Sequence, residues 1–204
     1  YFLEGHGEKN VASAERDGYN AVVSALEGDN FTVETLVLAQ REEVPDDASV
    51  VVVAGPDNDL LAGEINALER YLGHGGKVFF LVDPQVTADT LPLVNLEQLL
   101  AAWAVELSND VVVDVSAMGQ LIGTDASVPV AASYPPHAIT ERFNFLTAFP
   151  LARSLTATTG GVNGRMPQPL VETGADSWAE SNINLLTSDG EVELDETQGD
   201  IAGP

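Results

Sequence analysis

The chain has no cysteine. Disulfides, thiolate metal sites and thiol nucleophiles are therefore excluded, while the compartment is left open. Positive charge is scarce: eight Lys+Arg, with Lys9 and Lys77 the lysines, stand against 32 Asp+Glu, for a net charge of -24. A field of that sign repels nucleic-acid phosphates and anionic lipid, so nucleic acid is not an expected partner. No apolar run approaches the ~20 residues that span a bilayer, and no basic stretch leads into an apolar one as in a signal peptide. Gly-x-Ser-x-Gly and the glycine-rich phosphate-loop patterns are missing as well.

What is present is enough for a packed core. Hydrophobic residues make up 45% and charged residues 20% of 204 residues, which excludes wholesale disorder. The acids are spread along the chain, as suits solubility in high salt and equally an ordinary acidic surface. Self-repulsion at this charge should be relieved by screening. The melting temperature is expected to rise between low and molar KCl; a flat response would contradict this.

The opening stretch, Tyr1 to Glu8, is a short apolar run that breaks into Gly5-His6-Gly7-Glu8. That is how a strand delivers its C-terminal end toward a helix in an open α/β sheet. Tyr19, Val22, Val23 and Leu26 then repeat with helical spacing, with Gly28 as an expected C-terminal cap. Phe31 to Leu38 alternates and is β-branched, a predicted strand. Val50 to Ala54 is a continuous apolar run typical of a buried parallel strand, ending in Gly55-Pro56-Asp57-Asn58-Asp59, a turn able to cap a helix. Leu61, Ile65, Leu68 and Leu72 form the next stripe. Lys77 to Val82 is a further buried strand ending in Asp83-Pro84. Asn95 with Gln98 resembles a capping box before Leu99, Leu100 and Trp103, and Val111 to Val115 reads as a fifth strand.

This order predicts an α/β fold with an open, mostly parallel sheet and helices on both faces. Right-handed crossovers put its strand-end loops on one rim. Gly5, His6, Gly7, Glu8, Gly55, Pro56, Asp83 and Pro84 are the candidate ligand-binding residues there. Beyond residue 117 prolines interrupt the pattern, Gly160 to Gly164 reads as a hairpin turn, and Leu151–Thr158 and 169–173 are candidate edge strands. The expectation is one domain, residues 1–204, with a core over 1–117 and an irregular part over 118–204.

Several stretches together resemble the auxiliary ABC-transporter domain of gliding-motility GldG-type proteins. They are Tyr1 to Glu8, Val53 to Pro56, Leu68 to Leu72 with Gly75-Gly76-Lys77, Val82-Asp83-Pro84, His137 to Thr140, Phe149 to Leu155 and Asp176 to Glu180. They follow the family's order over nearly the whole chain; Ala138 stands where the family usually has proline. The resemblance implies a domain outside the cytoplasm, cut from a longer protein and held by flanking transmembrane helices. It would work beside the permease and ATPase subunits of an ABC transporter. It also implies a fold similar to class I glutamine amidotransferase-like and flavodoxin-like folds, without catalysis.

The residues agree. Amidotransferase chemistry needs a cysteine on a strand-to-helix elbow, and the comparable elbow carries Asp83-Pro84. Gly5 to Glu8 could offer N–H groups to an anion, but Glu4 and Glu8 flank it and no basic residue is expected near it. A tight turn that requires glycine is the simpler reading. His6 with Glu8 and Asp83 could form a hard-ligand site or a hydrolytic relay; a loop histidine bonded to a nearby acid is simpler, and capping is the simpler role for Asp57, Asp59 and Asp83. His74 belongs at a helix end and His137 at a turn, and Trp103 and Trp178 read as packing anchors. No catalytic residue, metal site or cofactor is assigned. The expectation is a non-enzymatic accessory domain, the alternative a module binding a small ligand or cation.

Overall fold

The computed structural model describes residues 1–86, 91–131, 133–186 and 192–203. The chain divides into two compact units: residues 1–83 with 89–99, and residues 84–88 with 100–204.

In the first unit, β1 (Phe2–Leu3), α1 (Asn20–Gly28), β2 (Thr35–Leu36), β3 (Val51–Ala54), α2 (Ala62–Gly73) and β4 (Val78–Leu81) follow in order. The strands form a parallel sheet in the order β2-β1-β3-β4. From β1 the chain first builds outward to β2, then crosses back to add β3 and β4, so the winding direction changes between β1 and β3. Phe2, Leu3, Val51, Val53, Leu60 and Leu68 are buried in the core.

The longer runs expected from the sequence are trimmed. Of Phe31 to Leu38 only Thr35–Leu36 joins the sheet: the Phe31 N–H turns back to the Leu26 carbonyl, and residues 38–40 wind into a 3-10 turn. β4 is the outermost strand, and Phe79 on it is 56% exposed, so it is not the buried strand its composition suggested. Gly28 is the last residue of α1 rather than its cap, a place taken by Asp29.

The helix α3 (Val94–Ala102) starts in the first unit. Asn95 does not cap it. The Asp59 carboxylate accepts the N–H groups of Asn95 (2.8 Å) and Leu96 (3.2 Å), while the Asn95 amide donates to the Leu60 carbonyl (2.8 Å). Asp59 is thus a helix cap as expected, though for α3 rather than for α2, which follows it in sequence.

The second unit holds β5 (Val105–Leu107), β6 (Val111–Asp114), α4 (Ala117–Ile122), β7 (Val130–Ala131), β8 (Thr147–Ala148), β9 (Leu155–Ala157), β10 (Ser177–Glu180), α5 (Ile183–Leu186) and β11 (Ile201–Ala202). β6 is not a fifth strand of the parallel sheet. It pairs antiparallel with β10 in a separate sheet ordered β11-β10-β6. Both β6 and β10 are buried along their full length, and an apolar run such as Val111–Val113 carries no record of its partner's direction. Within Leu151 to Thr158, residues 155–157 pair antiparallel with β5. Residues 169–173 form no strand: Pro169 lacks a donor, and Gly174 turns the chain by accepting the Ser177 N–H. Gly160 to Gly164 includes the expected hairpin turn, with Val162 bridged to Arg165 and positive φ at Asn163 and Gly164.

Candidate functional site

The rim of the first unit is built where β1, β3 and β4 end. The Gly5–Glu8 loop leaves β1 and is fastened to the loop after β3. The His6 carbonyl accepts the N–H groups of Asp57 and Asn58, both at 2.9 Å, and the Lys9 N–H donates to the Ala54 carbonyl at 2.9 Å. The Gly55 N–H in turn donates to Leu81 at the end of β4 (2.7 Å). Gly5, His6, Gly7, Glu8, Gly55, Pro56 and Asp83 therefore share the first unit. Pro84 is buried and opens the second unit.

Glycine at position 7 has a steric cause. Its φ is +85°, and a Cβ there would stand 2.8 Å from the Asp57 side chain. The Gly7→Ala substitution is expected to destabilise by about 1–3 kcal/mol through the left-handed backbone and this overlap. Urea unfolding measures it; a change under about 0.5 kcal/mol, the usual range of surface substitutions, would contradict it.

His6 turns into the protein, 7% exposed. Its Nε2 lies 2.7 Å from Oε2 of Glu64, which is 3% exposed. The contact is close but is not an aligned hydrogen bond: His6 Nε2, Glu8 Oε1 and Glu64 Oε1 are buried without a hydrogen-bond partner. Glu64 Oε2 also accepts the Leu61 N–H at the start of α2 (2.8 Å). Leucine has no acceptor to return the bond, so only the glutamate half of a capping box forms. The His6 N–H donates to Glu8 Oε2 (2.8 Å), which closes the loop on itself. The histidine expected to hydrogen-bond a neighbouring carbonyl or acid lies against an acid, Glu64 of α2, without an aligned hydrogen bond to it.

Asp83 faces a different partner. Lys9 Nζ lies 3.6 Å from Asp83 Oδ2, and both side chains crowd Gly55, where a Cβ would meet Lys9 Cε at 2.9 Å and Asp83 Oδ2 at 3.1 Å. A basic residue does therefore stand beside the loop, contrary to the sequence expectation. Tyr19, set edge-on to Phe2 at 6.2 Å, belongs to the same corner. Partial burial pushes its phenol above the ordinary range, Asp83 adds to the rise and Lys9 opposes it. Lys9 and Tyr19 were missed because neither stands in a motif; their only signal was closeness to the loop in sequence.

With the His6 ring on Glu64 and Asp83 on Lys9, the acid–base relay considered for His6, Glu8 and Asp83 is not assembled. Among the described residues no three His, Asp or Glu side chains converge as metal ligands. Two concavities lie elsewhere. One of about 720 Å³ is lined by residues between Ser133 and Asn144, and one of about 580 Å³ by residues between Glu43 and Lys77; no rim residue lines either. His74 is the exposed C-cap of α2, and His137 caps a turn, its Nδ1 accepting the Ile139 N–H (3.1 Å). Trp178 is buried in β10, and Trp103 stacks under the Arg165 guanidinium at 4.0 Å.

The fold is thus a mixed α/β one with a four-stranded parallel sheet and a rim of short, internally paired loops. The chain belongs to the family ABC_transp_aux, described as ABC-type uncharacterized transport system, whose model matches residues 1–200. This is the GldG-type auxiliary family that the motifs resemble, and it makes the chain an auxiliary component of an ABC-type transport system. A solved structure titled mmIFT52 N-terminal domain is similar with a TM-score of 0.64 and 17% identity, over 86% of this chain and 78% of that chain. At that identity the likeness is one of fold alone. Among curated proteins there is no match.

Proposed function

We propose that this is a non-catalytic, extracytoplasmic accessory domain of an ABC-type transport system, held to the membrane by flanking helices. It binds a partner protein or ligand at the strand-end rim. The observation that carries the reading is the family match over residues 1–200. The rim geometry supports it: its histidine and its lysine are each engaged by a carboxylate, an arrangement that shapes a surface rather than poising a nucleophile. The strand order β2-β1-β3-β4 is in keeping with flavodoxin-like and amidotransferase-like sheets, in which ligands lie where the winding reverses. Native purification of the full-length chain from its membranes should recover permease and ATPase subunits. An intact, well-expressed chain that brings neither would overturn the reading.

One observation favours a second reading, a module for a small ligand or cation. Glu8 Oε1 and Glu64 Oε1 are buried acceptors without a hydrogen-bond partner, and buried acceptors usually have one. Melting in the presence of sugars, nucleotides and divalent ions tests it. A specific upward shift, removed by Glu8→Gln, is expected; shifts no larger than those of a matched monovalent salt would end it.

A further inference from the structure

The acidic coat has a gap. Between Ala126 and Val171 only Glu141 of the chain's 32 acids occurs, while three of its eight basic residues, Arg142, Arg153 and Arg165, lie there. The same interval of the second unit holds large apolar side chains out in water. Ile139 is 71% exposed, Phe145 68%, Leu146 52% and Phe143 43%.

Phe143 and Phe145 are held in place rather than left loose. The Tyr134 hydroxyl donates to the Phe145 carbonyl at 2.9 Å and contacts the Thr147 hydroxyl. Its ring meets Phe143 edge-on at 5.1 Å, and Phe143 meets Phe145 edge-on at 5.7 Å. Tyr134, Pro135, Pro136, Thr140 and Phe143 line a concavity of about 720 Å³, and the Thr140 hydroxyl donates to the Pro135 carbonyl (2.8 Å). Scattered exposed apolar residues need no explanation, but a pre-ordered aromatic ladder beside a cavity does.

We infer that residues 133–151 are the docking face for a partner polypeptide whose contacting segment is apolar and acidic. The charge pattern selects the partner. Elsewhere the acidic coat repels an anionic body, and here it is interrupted, with the Arg142 side chain 93% exposed. Its contact with the neighbouring Glu141, at 3.8 Å between exposed groups, does little to hold it back. A bilayer surface has no protruding side chain to fill the concavity, and its anionic headgroups would meet the rest of the coat. The inference concerns a surface of the second unit and does not depend on the rim.

The test is a photo-crosslinking benzoylphenylalanine placed at position 145 of the full-length chain in its native membranes, with position 121 as the exposed control. The expected result is an adduct from position 145 to a different polypeptide, at a segment that mass spectrometry shows to be apolar and net negative. Arg142→Glu, which should leave the melting temperature unchanged, should reduce that adduct by about tenfold. An adduct to lipid, to a second copy of this chain or to a basic segment overturns the inference. So does an equal yield from position 121, insensitivity to Arg142→Glu, or no adduct.

Discussion

Replacing Glu64 with alanine is expected to cost about 3 kcal/mol of folding stability, combining loss of a helix cap with an uncompensated buried partner. One carboxylate oxygen serves both roles: it accepts the Leu61 N–H at the start of α2 and faces His6 Nε2 at 2.7 Å. Truncation leaves that N–H unmade and strands a buried imidazole at the root of the Gly5–Glu8 loop. Glu64→Gln separates the two effects. Its amide oxygen still accepts the Leu61 N–H while the charge facing His6 is gone, so the cost should fall to about half. Urea unfolding of both variants decides the matter. A loss below about 1 kcal/mol for the alanine variant would mean that the pair is energetically idle, as exposed pairs usually are.

Asp200→Ala is expected to destabilise by about 3 kcal/mol, because one buried carboxylate gathers three donors. Asp200, 7% exposed, accepts the Ser181 N–H and hydroxyl, both at 3.0 Å, and the Asp195 N–H at 2.9 Å. It thereby joins the end of β10 to the 3-10 turn before β11. Amide exchange should quicken at Trp178 and Ala179, which pair with β11; unchanged exchange and stability would contradict the role. The neighbouring turn adds a pH dependence. The Thr197 and Gln198 side chains, with the Thr197 N–H, hold the Asp195 carboxyl below its ordinary range. A depressed carboxylate contributes fully above its unfolded pKa, and the contribution fades as pH falls through the lowered folded value. The Thr197 amide resonance should therefore report the turn intact at neutral pH and opening only in strong acid.

The same type of device recurs through the second unit. Asp110 accepts the Ser154 N–H and hydroxyl at 2.7 and 2.6 Å, and Asp114 accepts the N–H groups of Ser116 and Val130 at 2.8 and 3.2 Å. In a chain with so few cations, the buried carboxylates of Asp110, Asp114 and Asp200 are met by donors from backbone and hydroxyl groups. An acid count cannot separate these anchors from the solvated coat. Asp110 and Asp114 flank an apolar strand as any surface acid might.

The candidate site was legible in outline for a local reason. A strand that stops in Gly-His-Gly needs a backbone that only glycine adopts easily, and Gly7 has that conformation. The same reasoning located Gly55 and the ends of β1 and β3. Lys9 and Glu64 escaped it because their roles depend on distance across the fold. Nothing in Lys9 announces that its stem will cover Gly55, and Glu64 reads as an ordinary first-turn acid until His6 is folded against it.

Local order was therefore determined by the sequence alone: the succession of strands and helices from β1 to α3, which loops need glycine, and, through the missing cysteine and the ordered motifs, the family and the absence of thiol chemistry. Those properties depend on residue type and near neighbours, which the chain carries wherever it folds. Only the tertiary structure decided that β6 leaves the parallel sheet for β10, that Asp59 caps α3 and that His6 turns inward to Glu64. Each of these is a pairing between segments distant in sequence, and the hydrophobic burial that drives them is non-directional. Apolar pattern dictates that a surface be covered, and the fold chooses what covers it.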